Sequence, residues 1–176
     1  ERLQIADDSG VWITLDGVVL DWSRSSLLSG EVVVNELTAQ TITLDRMPDA
    51  GPAETTPEVT PFALPDLPVS IEIGEISAGR IVLGAPVLGE PVEAVLKASL
   101  SLAGGEGKAA LDLRRTDGGP EGQVVLDASY SNATGRLDLN LDAREGAGGI
   151  AARLMRLPGA PSVEVTLKGT GPLSDF

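Results

Sequence analysis

Oxygen-bearing side chains crowd together at two places in this chain: Asp7, Asp8 and Ser9 in "ADDSG", and Asp138, Asn140 and Asp142 in "GRLDLNLDA". The first group has a faint look of a calcium loop. It lacks the full spacing and the distal bidentate glutamate of an EF-hand, and a turn explains it better. The second could supply a paired acid and base. Its three polar residues alternate with Leu137, Leu139 and Leu141, so they share one side of a strand, and a solvated face accounts for them. "NAT" at 132–134 fits a glycosylation sequon, a match that Asn- and Gly-rich turns also generate by chance. There is no Gly-x-Ser-x-Gly elbow, no Walker loop and no His-Glu-x-x-His motif. The chain contains neither histidine nor cysteine. That removes the commonest general base and metal ligand, the usual serine triad, disulfides, zinc-thiolate sites and thiol nucleophiles. The expectation is a protein that is not an enzyme and needs no cofactor and no metal.

The elements that carry these residues are built from aliphatic side chains. Of 176 residues, 42% are hydrophobic but only 3% are aromatic, so Leu, Val, Ile and Ala must form any core. The formal net charge is -13, and the few Lys and Arg are scattered. No basic cluster is available to neutralise phosphates, which argues against nucleic acid as a partner and disfavours anionic membrane surfaces. No apolar run approaches the ~20 residues that span a bilayer, and no signal peptide opens the chain. Strand-like alternation at both ends reads as a fragment of a larger protein.

Strand patterns dominate. "GVWITLDG" places Val11, Ile13 and Leu15 on one face, and "VVLDW" follows. "SSLLSG" reads as a Ser-rich turn or a single helical turn. "EVVVNELTAQTITLDR" gives Val32 and Val34, then Ile42 and Leu44, with a bend or turn expected near Asn35 and Glu36. Residues 48–68 hold six prolines, which cannot donate to a ladder, and read as a linker or long surface loop, with a lid or partner arm as the second reading. Strands resume at "VSIEI" and "ISAGRIVLG". Val92, Leu96, Leu100 and Leu102 then share a face, and Gly- and Asn-rich turns separate further strands into an antiparallel meander over 92–142. "GGIAARLMRLPG" spaces Ile150, Leu154 and Leu157 as one face of a short helix near 148–157, seated at the sheet's edge or end. The chain therefore divides into a β segment at 1–47, the proline-rich stretch at 48–68, and a β-meander with one short helix at 69–176.

At least eight strands carry one apolar face each. A sandwich would fold those faces together. A single folded sheet would leave a trough between them, and smooth aliphatic walls suit an acyl chain better than a protein partner, which recruits aromatics and Arg.

The order of motifs resembles the TamB-type translocation and assembly module proteins, related to the AsmA-like group. The matching pieces are "DDSGVWITLDGVVLDW", "SSLLSGEVVVNELTAQTITLDRMP", "LPDLPVSIEIGEISAGRIVLGAPVLGEP", "LRRTDGG" and "REGAGGIAARLMRLPGAPSVEVTLKGTGPLSD". The resemblance implies an all-β, mostly antiparallel, elongated and curved sheet, taco-like around a groove, with one or two short helices. It implies the periplasmic part of a protein anchored in the inner membrane of Gram-negative bacteria. Such proteins carry phospholipid towards the outer membrane and assist outer-membrane protein assembly with a β-barrel partner, TamA, which other parts of the full-length protein would meet. The groove-lining role falls on inward-facing apolar residues: Leu100, Leu102, Leu111, Leu113, Leu137, Leu139, Leu141, Val163, Val165 and Leu167. The rival expectation is a structural module whose sheet edge pairs with nascent outer-membrane strands.

Overall fold

A computed structural model describes residues 1–49, 63–65 and 67–173. The expectations for the proline-rich stretch fall largely outside these residues. The described chain is all-β: one mixed sheet of ten strands that does not close into a barrel, with two short helices. The strands are β1 (Leu3–Asp7), β2 (Gly10–Asp16), β3 (Val19–Ser23), β4 (Glu31–Leu44), β5 (Ser70–Leu83), β6 (Val92–Ala103), β7 (Glu106–Arg115), β8 (Gly122–Ser131), β9 (Arg136–Glu145) and β10 (Val163–Pro172). Helix α1 (Ala85–Leu88) joins β5 to β6, and α2 (Ile150–Leu154) joins β9 to β10. "SSLLS" forms a 3-10 turn, Ser25–Ser29.

From β5 to β10 every neighbouring pair is antiparallel, as the Gly- and Asn-rich turns imply. The exception to antiparallel pairing is β4 beside β5, which run parallel. β2 and β3 both pair with β4 along the same edge, β2 against its last residues and β3 against its first.

The expected bend at Asn35 and Glu36 is instead a bulge inside one continuous strand. Asp21 pairs with Glu36 and Trp22 with Val34, so Asn35 is the extra residue. "VSIEI" and "ISAGRIVLG" likewise belong to a single strand, β5, which shifts register against β6 at two places. The β4 residues paired across to β5 explain both. Val32, Val34, Leu37, Ala39, Ile42 and Leu44 face Ile71, Ile73, Ile76, Ala78, Ile81 and Leu83. Spacings of two and three alternate, and each three marks an irregularity that keeps the aliphatic side chains on one face. Gly74 and Gly79 stand there because a Cβ on either would lie 3.2 Å from the carbonyl oxygen of Asn35 or Gln40. Gly79→Val should therefore cost about 2 kcal/mol through overpacking against backbone, seen as a drop of roughly 6 °C in Tm.

α2 is shorter than expected. The helix stops at Leu154, and Arg156 takes a left-handed conformation (φ 53), so Leu157 falls beyond it and does not continue the face begun by Ile150. The meander over 92–142 and the shared face of Val92, Leu96, Leu100 and Leu102 are as expected.

Candidate functional site

Cross-strand partners lie on the same face of a sheet, so the register can be followed from strand to strand. Beginning at Leu141, the partners are Leu126, Leu111, Ala98 and Ile76 in one direction and Leu167 in the other. The row continues through Leu37 to Leu20. Beginning at Leu139, the partners are Ala128, Ala109, Leu100, Ile73 and Val34, with Gly169 on β10. At the far edge Ile13 and Leu15 pair with Ile5 and Leu3. One aliphatic face thus runs from β1 to β10. The opposite face carries Glu72, Glu93, Lys97, Lys108, Asp112, Asp127, Asp138, Asp142 and Lys168. Asp138, Asn140 and Asp142 lie there, paired with Ser129, Asp127 and Val125, as a solvated face requires.

All ten candidate lining residues share the aliphatic face. Leu113, Val163 and Val165 meet in an apolar cleft of about 530 Å³. Leu111, Leu141 and Leu167 form the adjoining row, followed by Leu100 and Leu139, then Leu102 and Leu137 beside Tyr130. Among the described residues no second sheet lies over these side chains. Among the described residues no large side chain is fully buried, and Leu167 remains 49% exposed.

The cleft's floor also takes Ile81, Leu83, Val92, Ala94 and Val124, and its wall takes Leu88, Ile150, Leu154 and Met155. Reading the sequence missed these. The floor residues follow from the same cross-strand rule, but the wall depends on where two very short helices settle. α2 lies at the end of the sheet against its apolar face, and so makes a wall rather than only an edge.

A second, larger concavity of about 890 Å³ takes three consecutive residues from each of β5 to β10. Two of every three belong to the polar face, among them Lys108, Asp127, Asp138 and Lys168. It is a water-facing dip, although Leu100 and Leu139 border it.

No family model, no curated protein and no solved structure matches the chain.

The cleft ends on charge. Arg115, whose side chain is 9% exposed, ion-pairs with Asp117 at 2.8 Å, Glu90 at 3.1 Å and Glu145 at 3.7 Å. Arg153 of α2 reaches Glu90 at 2.5 Å. Glu145 accepts a hydrogen bond from the Ala151 N–H at 2.6 Å, satisfying a free donor at the start of α2. The cluster therefore ties β7, the turn after α1, and α2 together. The hydrogen bond from Arg115 holds the Asp117 carboxyl below its usual range, and the one from Arg153 does the same for Glu90. Asp7, in the "ADDSG" turn, accepts hydrogen bonds from Arg46 and from the Asp49 N–H, which lower its pKa strongly. It is an anchored turn, and the described residues hold no group of three or more acidic side chains placed to bind a metal ion. The arrangement offers attraction for aliphatic chains.

Proposed function

We propose that this chain is a conduit segment whose apolar sheet face shields phospholipid acyl chains from water. In this reading it is the periplasmic part of an inner-membrane-anchored, TamB-like protein that moves lipid towards the outer membrane. It would also serve outer-membrane protein assembly, with the TamA-type barrel met by other parts of the full protein. The observation that carries the reading is the aliphatic face: continuous over ten paired strands, with no second sheet across it among the described residues. Soluble monomers rarely leave a contiguous apolar patch larger than a few hundred Å² without an interaction to explain it. This face is roughly 40 Å across, at about 4.8 Å per strand.

Energetics fit transport. Each buried methylene contributes about 0.8 kcal/mol, so a sixteen-carbon chain gains on the order of 10 kcal/mol before ordering costs. That is comparable to its gain in a bilayer, so a chain can enter and later leave. An aliphatic floor attracts without fixing position, and headgroups remain in water. A second reading, pairing with nascent strands, is favoured by β10, whose outer edge carries no partner strand over Val163–Pro172 among the described residues. Lys168, Gly169, Gly171 and Pro172 on that strand are the residues that weaken edge pairing, which leaves the conduit ahead.

Native mass spectrometry of the chain, purified from bacterial membranes under mild conditions with lipid extraction alongside, tests the proposal. Near-stoichiometric phospholipid is the expected result. A folded chain that carries no lipid and takes up none when offered would overturn it and favour the edge-pairing module.

A further inference from the structure

The apolar face is not bare at the end away from the helices. Leu64, in the connection between β4 and β5, lies on it. A Cβ built on Gly107 would stand 2.7 Å from Leu64 Cδ1 and 3.7 Å from Leu102 Cδ1. Gly107 pairs with Leu102 and Tyr130, so it belongs to the aliphatic face, and Leu64 fills the place that a side chain at 107 would take. The Asn132 side chain holds it there. The Leu64 N–H donates to Asn132 Oδ1 at 2.8 Å, and Asn132 Nδ2 donates to the Leu64 carbonyl at 2.9 Å. Leu64 precedes Pro65, which biases it to an extended backbone, and an extended residue turns its N–H and C=O to the same side. The Asn132 amide thus pairs with Leu64 as a neighbouring strand would. Asn132 is itself fixed by its own N–H, which donates to the Gly105 carbonyl at 2.9 Å.

We propose that Ala63–Pro65 is a removable plug, latched by Asn132, that occupies one end of the apolar face until it is displaced. Two hydrogen bonds from one exposed side chain, spanning 68 residues of sequence, make a local tether that opens without unfolding the sheet. With the plug seated, Leu64 occupies the row of Leu102, Tyr130 and Leu137 at its Gly107 position. With the plug released, that row joins the rest of the face. The consequence for lipid rests on the conduit reading: an acyl chain advancing along the face would compete with Leu64. The position of the plug does not rest on it. The latch also gives the "NAT" motif a structural role, since the Asn132 amide nitrogen is engaged by Leu64 and a glycan there would break the contact.

The chain has no cysteine, so single-cysteine labelling reports one position at a time. Leu102→Cys would report the plugged end, and Leu167→Cys, on β10, would serve as the control. Each is combined with Asn132→Ala and with Asn132→Asp, which keeps an acceptor for the Leu64 N–H but sets a carboxylate oxygen against the Leu64 carbonyl in place of the donated bond. A charged maleimide should label Leu102→Cys about thirtyfold faster in Asn132→Ala, the size expected for losing two ordinary hydrogen bonds of about 1 kcal/mol each, with Asn132→Asp also faster and Leu167→Cys unchanged. An unchanged rate at Leu102→Cys would overturn the latch. Equal acceleration at both positions would overturn it too, by showing that Asn132 supports the fold as a whole. If the chain takes up no lipid in any background, the conduit reading falls while the labelling result still decides the plug.

Discussion

Arg115→Met is expected to destabilise the protein by about 3 kcal/mol at neutral pH, the range for removing one partner of a buried ion pair. Methionine keeps most of the aliphatic volume that borders the cleft, so the loss reports the charge. Three carboxylates, Glu90, Asp117 and Glu145, gather around the guanidinium. Without it, among the described residues, Arg153 is the cation that faces them, through Glu90. The pH dependence separates this cause from lost packing. Glu90 and Asp117 have folded-state pKa values below their ordinary ones. Their contribution to stability is therefore fully present above the ordinary carboxylate range, near pH 4, and is lost as pH falls below it through the lowered folded-state values. In Arg115→Met the carboxylates are repelled when ionised and relieved when protonated. The gap in stability between the two proteins should thus be widest near neutral pH and narrow on acidification, measured by chemical denaturation at each pH. A gap independent of pH would assign the loss to packing. Because the cluster holds both helices against the sheet end, the same variant should raise amide exchange over α2 before the meander opens.

How much of this was legible in the sequence depends on the range of the forces involved. Alternation in β6 to β10 is local, and Gly- and Asn-rich turns set hairpin geometry within a few residues. The meander and the shared face of the ten candidate residues could therefore be read directly. The irregularities at Asn35, Gly74 and Gly79 could not, because they are relations between strands. "VVVNELTAQTITL" looks like broken alternation until β5 is laid beside it with the same interruptions. The parallel pairing of β4 and β5 is likewise settled by matching two strands across a long connection. α2 was over-extended because Leu157 continues a helical spacing, whereas the backbone turns left-handed at Arg156. Arg115 escaped notice because two of its three carboxylates, Glu90 and Glu145, come from distant parts of the chain. Asn132 looked like a chance sequon, and only the three-dimensional contact with Leu64 shows what its amide does.

Leu139→Asp and Asp138→Leu test the face itself, since the two residues are adjacent in sequence and opposite in space. Leu139 pairs with Ala128 and Gly169 on the aliphatic side, whereas Asp138 pairs with Ser129 and Thr170 on the polar side. An acyl chain on the apolar face would lose burial against Leu139, worth about 2 kcal/mol for a leucine side chain, and would meet a carboxylate whose desolvation adds to the cost. Since 1.4 kcal/mol is a factor of ten in an equilibrium constant, Leu139→Asp should reduce retained phospholipid more than tenfold by native mass spectrometry. Asp138→Leu should leave retention within about twofold, because an added aliphatic group on the polar face touches no bound chain. The substitution at Leu139 should still give a folded protein. Its neighbours across the sheet are an alanine and a glycine, and among the described residues no second sheet lies over it, so a carboxylate there keeps access to water when no lipid is bound. Loss of lipid with the fold retained then belongs to the face and not to unfolding, whereas equal losses from both substitutions would mean that retention does not depend on which side of the sheet is apolar.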